Sequence, residues 1–374
     1  MEQRNIEILD TTLRDGAQGE GISFSLEDKL NITRKLIKLG VSFVEAGNPA
    51  SNPKDIQYFQ RVSGMDTDQT NICAFGATRK KEIPVEEDQN VRSLLDAGTS
   101  WVVIFGKSWD LHVRDVLRTT LEENLAMIRD TVSFFRAHGR HVIFDAEHFF
   151  DGFKNAPEYA LQALKAAEEA GAERLCLCDT NGACFPEEIA EITGKVVAQV
   201  RVPVGIHVHN DVGCAVANSM AAVAAGATHV QGTYIGFGER CGNANLSTII
   251  ANLQLKKGCR CIPPERMVRL TKTARYIAEM TNLALPASMP YVGKSAFAHK
   301  GGMHVDGIYK NSISFEHIPP ETVGNTRNIL VSEFAGRTAI ANKIMALDGT
   351  VTRNSQVTGE IIEKLKELEY EGYA

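Results

Sequence analysis

The 374-residue chain has no apolar run long enough to span a bilayer, and its opening residues, Met1-Glu2-Gln3-Arg4, carry no signal-peptide pattern. A cytoplasmic location is therefore expected. There is no surplus of positive charge either. Forty Lys and Arg stand against 46 Asp and Glu, giving a net charge of -6, and the basic residues are dispersed. Neither nucleic acid nor a membrane surface is an expected partner. Low-complexity segments are missing, as are internal repeats beyond the strand–helix unit. No Gly-x-Gly-x-x-Gly turn follows the first strand, which argues against a doubly wound dinucleotide-binding sheet. The eight Cys are scattered, and Cys259-Arg260-Cys261 has no matching second pair, so a structural zinc site built from four cysteines is excluded. Several cysteines (Cys73, Cys176, Cys178, Cys214) fall inside expected strands or helices, where reduced, buried thiols belong.

What the chain does contain is an alternation of short β-branched runs with longer amphipathic stretches. The expected strands are Ile6-Glu7-Ile8-Leu9, Val41–Ala46, Asn71–Phe75, Trp101–Phe105, His141–Ala146, Arg174–Cys178, Val204–His209 and Thr228–Gly232. Helical stretches such as Leu26–Leu39 and Pro157–Ala170 lie between them. In the first, Thr33-Arg34 interrupts the apolar residues Leu30, Leu36, Ile37 and Leu39, and Gly40 supplies a C-cap. Pro157 and Pro186 sit where helix starts tolerate proline. Eight βα units predict an α/β fold, a (β/α)8 TIM barrel. Past Lys257 the periodicity changes. Pro263-Pro264 precede a helix over Glu265–Asn282, and regularity is lost through Pro286–Gly302, a polar, Gly-containing stretch followed by His304. After Pro319-Pro320, helices are expected at Glu333–Met345 and Ser355–Glu369, the last with a solvated Glu/Lys face.

Polar residues gather where strands end: Arg14-Asp15, Glu45, Thr78-Arg79, Lys107-Ser108, Asp145, Glu147-His148, Asp179-Thr180-Asn181, His207 and His209, and the loop Gly236–Asn245. In a barrel this is the mouth, where enzyme active sites lie. His207 and His209 are two apart on a strand and face the same way. Strand 7 neighbours strand 8, and strand 8 closes on strand 1, so Asp15, the two His and an Asn oxygen from the Gly238–Asn245 loop should converge. Such a mixed nitrogen and oxygen set suits a divalent metal ion such as Mn2+, Mg2+ or Zn2+ that also binds substrate. Arg14 would face a developing oxyanion, its structural alternative being an ion pair with Asp15 or Glu45. Glu147 is placed as a base or a hydroxyl ligand. Thr180 is placed as a donor to a substrate carboxylate or, alternatively, as a helix N-cap. Asp10 is expected to support the loop.

The run DTTLRDGAQGEGISFSLEDK, the run His207-Val208-His209-Asn210-Asp211, Gly-Glu-Arg-Cys-Gly-Asn-Ala-Asn and Gly-Gly-Met-His resemble the 2-isopropylmalate synthase and homocitrate synthase superfamily of acyl-CoA-condensing barrels and related lyases. Phe105-Gly106-Lys107-Ser108-Trp109-Asp110-Leu111-His112 and Asp145-Ala146-Glu147-His148-Phe149-Phe150-Asp151-Gly152 resemble its citramalate synthase branch. The resemblance runs from the first strand to about Ile340. It implies a TIM-barrel catalytic domain over 1–260, a linker helix and subdomain I over 261–325 contributing to the active site, and a helical subdomain II over 326–374. No C-terminal regulatory domain is expected.

By the same resemblance Asp15, His207, His209 and Asn243 are metal ligands, and Arg14, Glu147 and Thr180 hold the 2-keto acid. His304 is catalytic, acting in the partner's site of a homodimer. The implied reaction is a metal-dependent Claisen condensation of acetyl-CoA with a 2-keto acid, pyruvate being favoured, with release of CoA. Two departures from the branch bear on this. Asn48 stands where close relatives have Trp, and Tyr309 is the only Tyr near the linker His. The alternatives are another keto acid (oxaloacetate, 2-oxoglutarate or 2-ketoisovalerate) or a carbon–carbon lyase of the HMG-CoA lyase type, for which Cys241 would be the loop thiol. A binding module without catalysis is opposed by the intact Arg14, Asp15, His207, His209 and Asn243.

Overall fold

The computed structural model describes residues 3–330 and 356–373. Eight parallel strands close into a barrel: β1 (Glu7–Asp10), β2 (Phe43–Glu45), β3 (Asn71–Ala77), β4 (Trp101–Lys107), β5 (His141–Glu147), β6 (Arg174–Asp179), β7 (Val204–Val208) and β8 (His229–Gly232). All eight expected strands form, and β1 pairs with β8 to complete the ring, Ile8 beside Val230 and Asp10 beside Gly232. β2 is shorter than the expected run Val41–Ala46 at both ends, starting at Phe43 and ending at Glu45. β3 and β4 run two residues further than their apolar runs.

Local chemistry accounts for the connecting helices. The helix α1 (Leu26–Leu39) begins at Ser25, whose hydroxyl accepts from the Asp28 amide while the Asp28 carboxylate accepts from the Ser25 amide, a reciprocal capping box. It ends at Gly40 with φ 90°, where a Cβ would also meet the Pro263 ring. Thr33, which breaks the apolar pattern of α1, is nonetheless fully buried. Its hydroxyl donates to the Lys29 carbonyl and meets the Tyr58 hydroxyl at 2.7 Å. Pro157 and Pro186 each open a helix, as expected.

The barrel interior is filled from below by Leu9, Phe43, Cys73, Val103 and Ile143, with Trp101 and Phe75 against them. At the N-terminal end of the strands Glu7 accepts from Arg174 through both oxygens, each at 2.8 Å, and meets His229 at 3.3 Å. That end of such a barrel serves stability rather than chemistry.

The chain separates into two compact units, Met1–Arg266 with Thr273–Ala284, and Met267–Lys272 with Leu285–Ala374. The helix expected over Glu265–Asn282 is instead a tight 3-10 turn, Pro264–Arg269, followed by an α-helix, Leu270–Met280. Within the second unit, the Val268 carbonyl lies where a side chain on Gly324 would be, and the Thr271 hydroxyl donates to the Val323 carbonyl at 2.7 Å. A backbone this close favours the tighter turn. Also in this unit, Ala298–His299 pairs with Asn328–Ile329, and Glu316 grips Arg327 through two hydrogen bonds and meets His299 at 3.2 Å. A helix runs over Gly302–Lys310 and another over Gln356–Tyr370. The helix expected at Glu333–Met345 lies outside the described residues. Among the described residues no helix is long and apolar enough to cross a membrane.

Candidate active site

Each strand delivers its polar residue to one end of the barrel because parallel strands share a direction. The turn after β1 is built around buried Asp10, whose Oδ1 accepts from the Thr12 amide at 3.0 Å. Asp10 supports the loop, as its position suggested. Burial pushes its carboxyl up to about 7, with Glu45 adding to the effect against the Thr12 hydrogen bonds. The following 3-10 turn begins at Gly16, where a Cβ would lie 2.8 Å from the Phe237 ring. Close approach, rather than an unusual backbone angle, requires glycine there.

Asp15, His207 and His209 come together. The two Nε2 atoms are 3.3 Å apart, and the Asp15 Oδ2 lies 3.2 Å from His207 and 3.8 Å from His209. All three are buried. β7 ends at Val208, one residue before His209. His209 instead forms a single antiparallel bridge with Asn243, which draws the loop after β8 to the same point. The Asn243 amide nitrogen donates to Asp15 Oδ2 at 3.0 Å, and its oxygen is buried without a partner. A half-turn of that amide presents the oxygen to the point where the three other side chains meet.

Burial holds the His209 imidazole down to about 4, the neighbouring His207 adding to it, so His209 is a neutral donor at ordinary pH. Burial opposes the charge on Asp15, but Arg14 first and then His207 outweigh it and keep the carboxylate ionised. An ionised carboxylate, two imidazole nitrogens and an unpaired amide oxygen form a set that a divalent cation fits.

Behind His207 stands Gln231, fully buried on β8. Its amide nitrogen donates to Asp145 Oδ1 at 2.8 Å, which leaves its oxygen to accept from His207 Nδ1 at 3.0 Å. That acceptor fixes a proton on Nδ1 and the plane of the ring, with Nε2 turned to the ligand cluster, where it meets Asp15. Sequence reading missed Gln231. A glutamine inside an apolar strand was the signal for it.

Arg14 makes the ion pairs of its structural reading and lines the cavity. Nε donates to Glu45 at 2.6 Å, Nη1 lies 3.4 Å from Asp15, and the guanidinium sits 3.8 Å over the centre of the Phe75 ring. Glu147, at the end of β5, is ion-paired with Lys107. The Thr180 hydroxyl accepts from the His148 amide at 2.9 Å, and the next helix starts only at Pro186, so Thr180 is not an N-cap. Its own hydrogen is left to donate. His148 takes a left-handed conformation, φ 56°, uncommon for a residue with a side chain.

A cavity of about 190 Å3 opens among these groups, lined by Arg14, Asp15, Glu147, Thr180, His207 and His209, with Phe75 and Phe105 on its apolar side. The two rings stack with centroids 5.2 Å apart. Six of the eight residues picked out from the sequence therefore line one cavity, and Asn243 adjoins it through Asp15. His304 belongs to the second unit, where it is exposed and stacks on Phe315 with ring centroids 4.3 Å apart.

The model of the HMGL-like family matches residues 5–277, and that of the homocitrate synthase post-HMGL domain matches residues 291–372. The chain is 52% identical to an (R)-citramalate synthase of Synechocystis over 98% of its length and 68% of that protein's, and 53% identical to one of Aquifex aeolicus, with 98% and 70% covered. A 2-isopropylmalate synthase of Sulfolobus acidocaldarius is 33% identical over 98% of this chain and 92% of that protein. Among solved structures, the HMG-CoA lyase of Bacillus subtilis superposes with a TM-score of 0.64 at 20% identity, covering 76% of this chain and 97% of its own, a likeness of fold alone. The chain belongs to the HMGL-like family, in the branch of the citramalate, 2-isopropylmalate and homocitrate synthases.

Proposed function

We propose that the protein is a citramalate synthase: an acyltransferase that condenses acetyl-CoA with pyruvate and water to give citramalate and free CoA. The observation that carries this reading is the meeting of Asp15, His207, His209 and Arg14 at one small cavity, in a chain about half identical to (R)-citramalate synthases over nearly its whole length. Asp15, His207, His209 and the Asn243 oxygen would hold a divalent ion, which would supply Lewis-acid polarisation of the keto acid.

The remaining work falls to the protein's own groups. Arg14 is fixed by Glu45 and by the Phe75 ring, so its free guanidinium nitrogens stay aimed at the cavity and stabilise the alkoxide formed when the acetyl enolate attacks. The Thr180 hydroxyl donates to the keto-acid carboxylate. Glu147 faces the cavity beside Lys107 and takes the role of hydroxyl ligand or base. The stacked Phe75 and Phe105 rings leave an apolar wall of fixed position, which favours a methyl group over a longer substituent on the keto acid. His304, carried on an exposed helix turn of the second unit, acts in the site of the partner in a homodimer, moving the proton lost from the acetyl methyl group.

Incubating purified protein with acetyl-CoA, Mn2+ or Mg2+ and each keto acid in turn, and following free CoA thiol, tests the reading. Pyruvate should give the highest kcat/KM. Thiol release with 2-ketoisovalerate or 2-oxoglutarate but not with pyruvate would assign a different substrate.

A further inference from the structure

A second cluster of ligand-bearing side chains lies inside the barrel behind the cavity. Asp145 on β5 is paired in register with Cys176 on β6, so the two side chains point the same way, and Cys178, two residues further on, shares that face. A carboxylate oxygen of Asp145 and the two Sγ atoms all lie within 4.8 Å of one another. All three residues are buried, yet Asp145 and Cys178 also line the cavity. The Cys178 thiol makes a long contact, 3.8 Å, to the Cys176 carbonyl and lies against the Cys176 thiol. The condensation as proposed above uses neither thiol.

We propose that Asp145, Cys176 and Cys178 form a second metal site, selective for thiophilic divalent ions such as Zn2+ and Cd2+, and that filling it inhibits the enzyme. Two thiolates and one carboxylate match the soft, low-coordination preference of these ions, with the fourth position open to the cavity. Contraction from the observed spacing to metal–ligand distances is small for side chains two residues apart on one strand and directly paired on the next. Hard ions such as Mg2+ and Mn2+ are disfavoured, since they prefer oxygen donors and two of the three donors here are sulfur.

The inhibitory part rests on the proposed function. Asp145 Oδ1 is the acceptor that orients Gln231, and Gln231 orients His207. An ion that engages Asp145 removes that anchor while also intruding on the cavity beside Glu147.

Binding is read without turnover. With the whole chain held in excess Mg2+, Cd2+ is titrated in and the ultraviolet sulfur-to-cadmium charge-transfer band is followed, a band that imidazole and carboxylate ligands do not produce. One equivalent should develop it. Cys176→Ala/Cys178→Ala should lose that equivalent, while Asp145→Asn should keep the band with affinity weakened at least about tenfold. Near-ultraviolet circular dichroism establishes that each variant is folded, and Cys178→Ala alone serves if the double variant is not. An unchanged band in the folded variant would move the thiolates to other cysteines, such as Cys259 and Cys261, and overturn the site. In the activity arm, Cd2+ should slow CoA release in a way that added Mg2+ does not relieve, and the double variant should resist it. Equal inhibition of that variant would mean displacement at the first site and would end the inhibitory claim, leaving the binding result to stand by itself.

Discussion

Arg14 is held on three sides, by the Glu45 carboxylate, the Asp15 carboxylate and the face of Phe75. Burial works against its charge, but the two anions more than compensate, so it stays cationic at every working pH. A planar fork can serve Glu45 with one edge and an oxyanion with another, whereas an ammonium cannot. Arg14→Lys should therefore lower kcat at least a hundredfold, about 3 kcal/mol of transition-state stabilisation, with a smaller change in KM. An effect confined to KM, measured by steady-state CoA release, would mean that Arg14 only holds the ground-state acid. His207 and His209 make a separate prediction. Either one changed to Ala removes one of few donors from the ligand cluster while leaving the strand ladder intact. Titration calorimetry with Mn2+ should show loss of the high-affinity event, and turnover should fall to background while the circular dichroism spectrum is kept. Near-normal Mn2+ binding in either variant would remove that residue from the ligand set.

Among elements, β1 has the most to hold. One end carries the turn with Arg14 and Asp15, and the other carries Glu7, which ties β1 to β6 through Arg174 and to β8 through His229. Burial acts to raise the Glu7 carboxyl, but hydrogen bonds from Arg174 and then His229 win and bring it down to about 2 from an ordinary 4.5. A depressed carboxylate stabilises the fold fully above its unfolded value and loses that contribution as pH falls toward its folded one. Glu7→Gln should thus cost roughly 1–2 kcal/mol at neutral pH, allowing for partial solvent screening, and the difference should shrink from about pH 4.5 downward and vanish near pH 2. Thermal melts of both proteins across that range measure it. A decrement that does not change with pH would show that packing, not charge, is what Glu7 contributes.

For the whole molecule, the prediction concerns whether a site is completed by a second chain. His304 lies in the second compact unit, exposed on the helix Gly302–Lys310 and stacked on Phe315, and it is proposed to act in the barrel of a partner. Mixing inactive His304→Ala with inactive His207→Ala protein tests this. If His304 works across the interface, each heterodimer has one intact site, and activity returns after subunit exchange. Each chain would spoil only itself if His304 served its own barrel, and no mixture would recover.

Much of this protein was determined by its sequence. Eight alternating runs are a local property, because apolar periodicity decides strand or helix without reference to distant residues, and counting them gives the barrel. The two-residue spacing of His207 and His209 fixes that both face one way, whatever surrounds them. Arg14-Asp15 after a strand places a charge pair at a strand end. What tertiary structure alone decided is which distant groups meet. Asn243 reaches Asp15 across 228 residues only because β8 closes on β1. Gln231 becomes the anchor of His207 through the register of β7 on β8, and Asp145 the anchor of Gln231 across the barrel from the non-adjacent β5, which no local pattern encodes. Gly16 yields to Phe237, Thr33 is buried against Tyr58, and Phe75 lies flat beneath Arg14 for the same reason. A side chain's direction follows from its own strand, but its partner is set by closure of the whole ring.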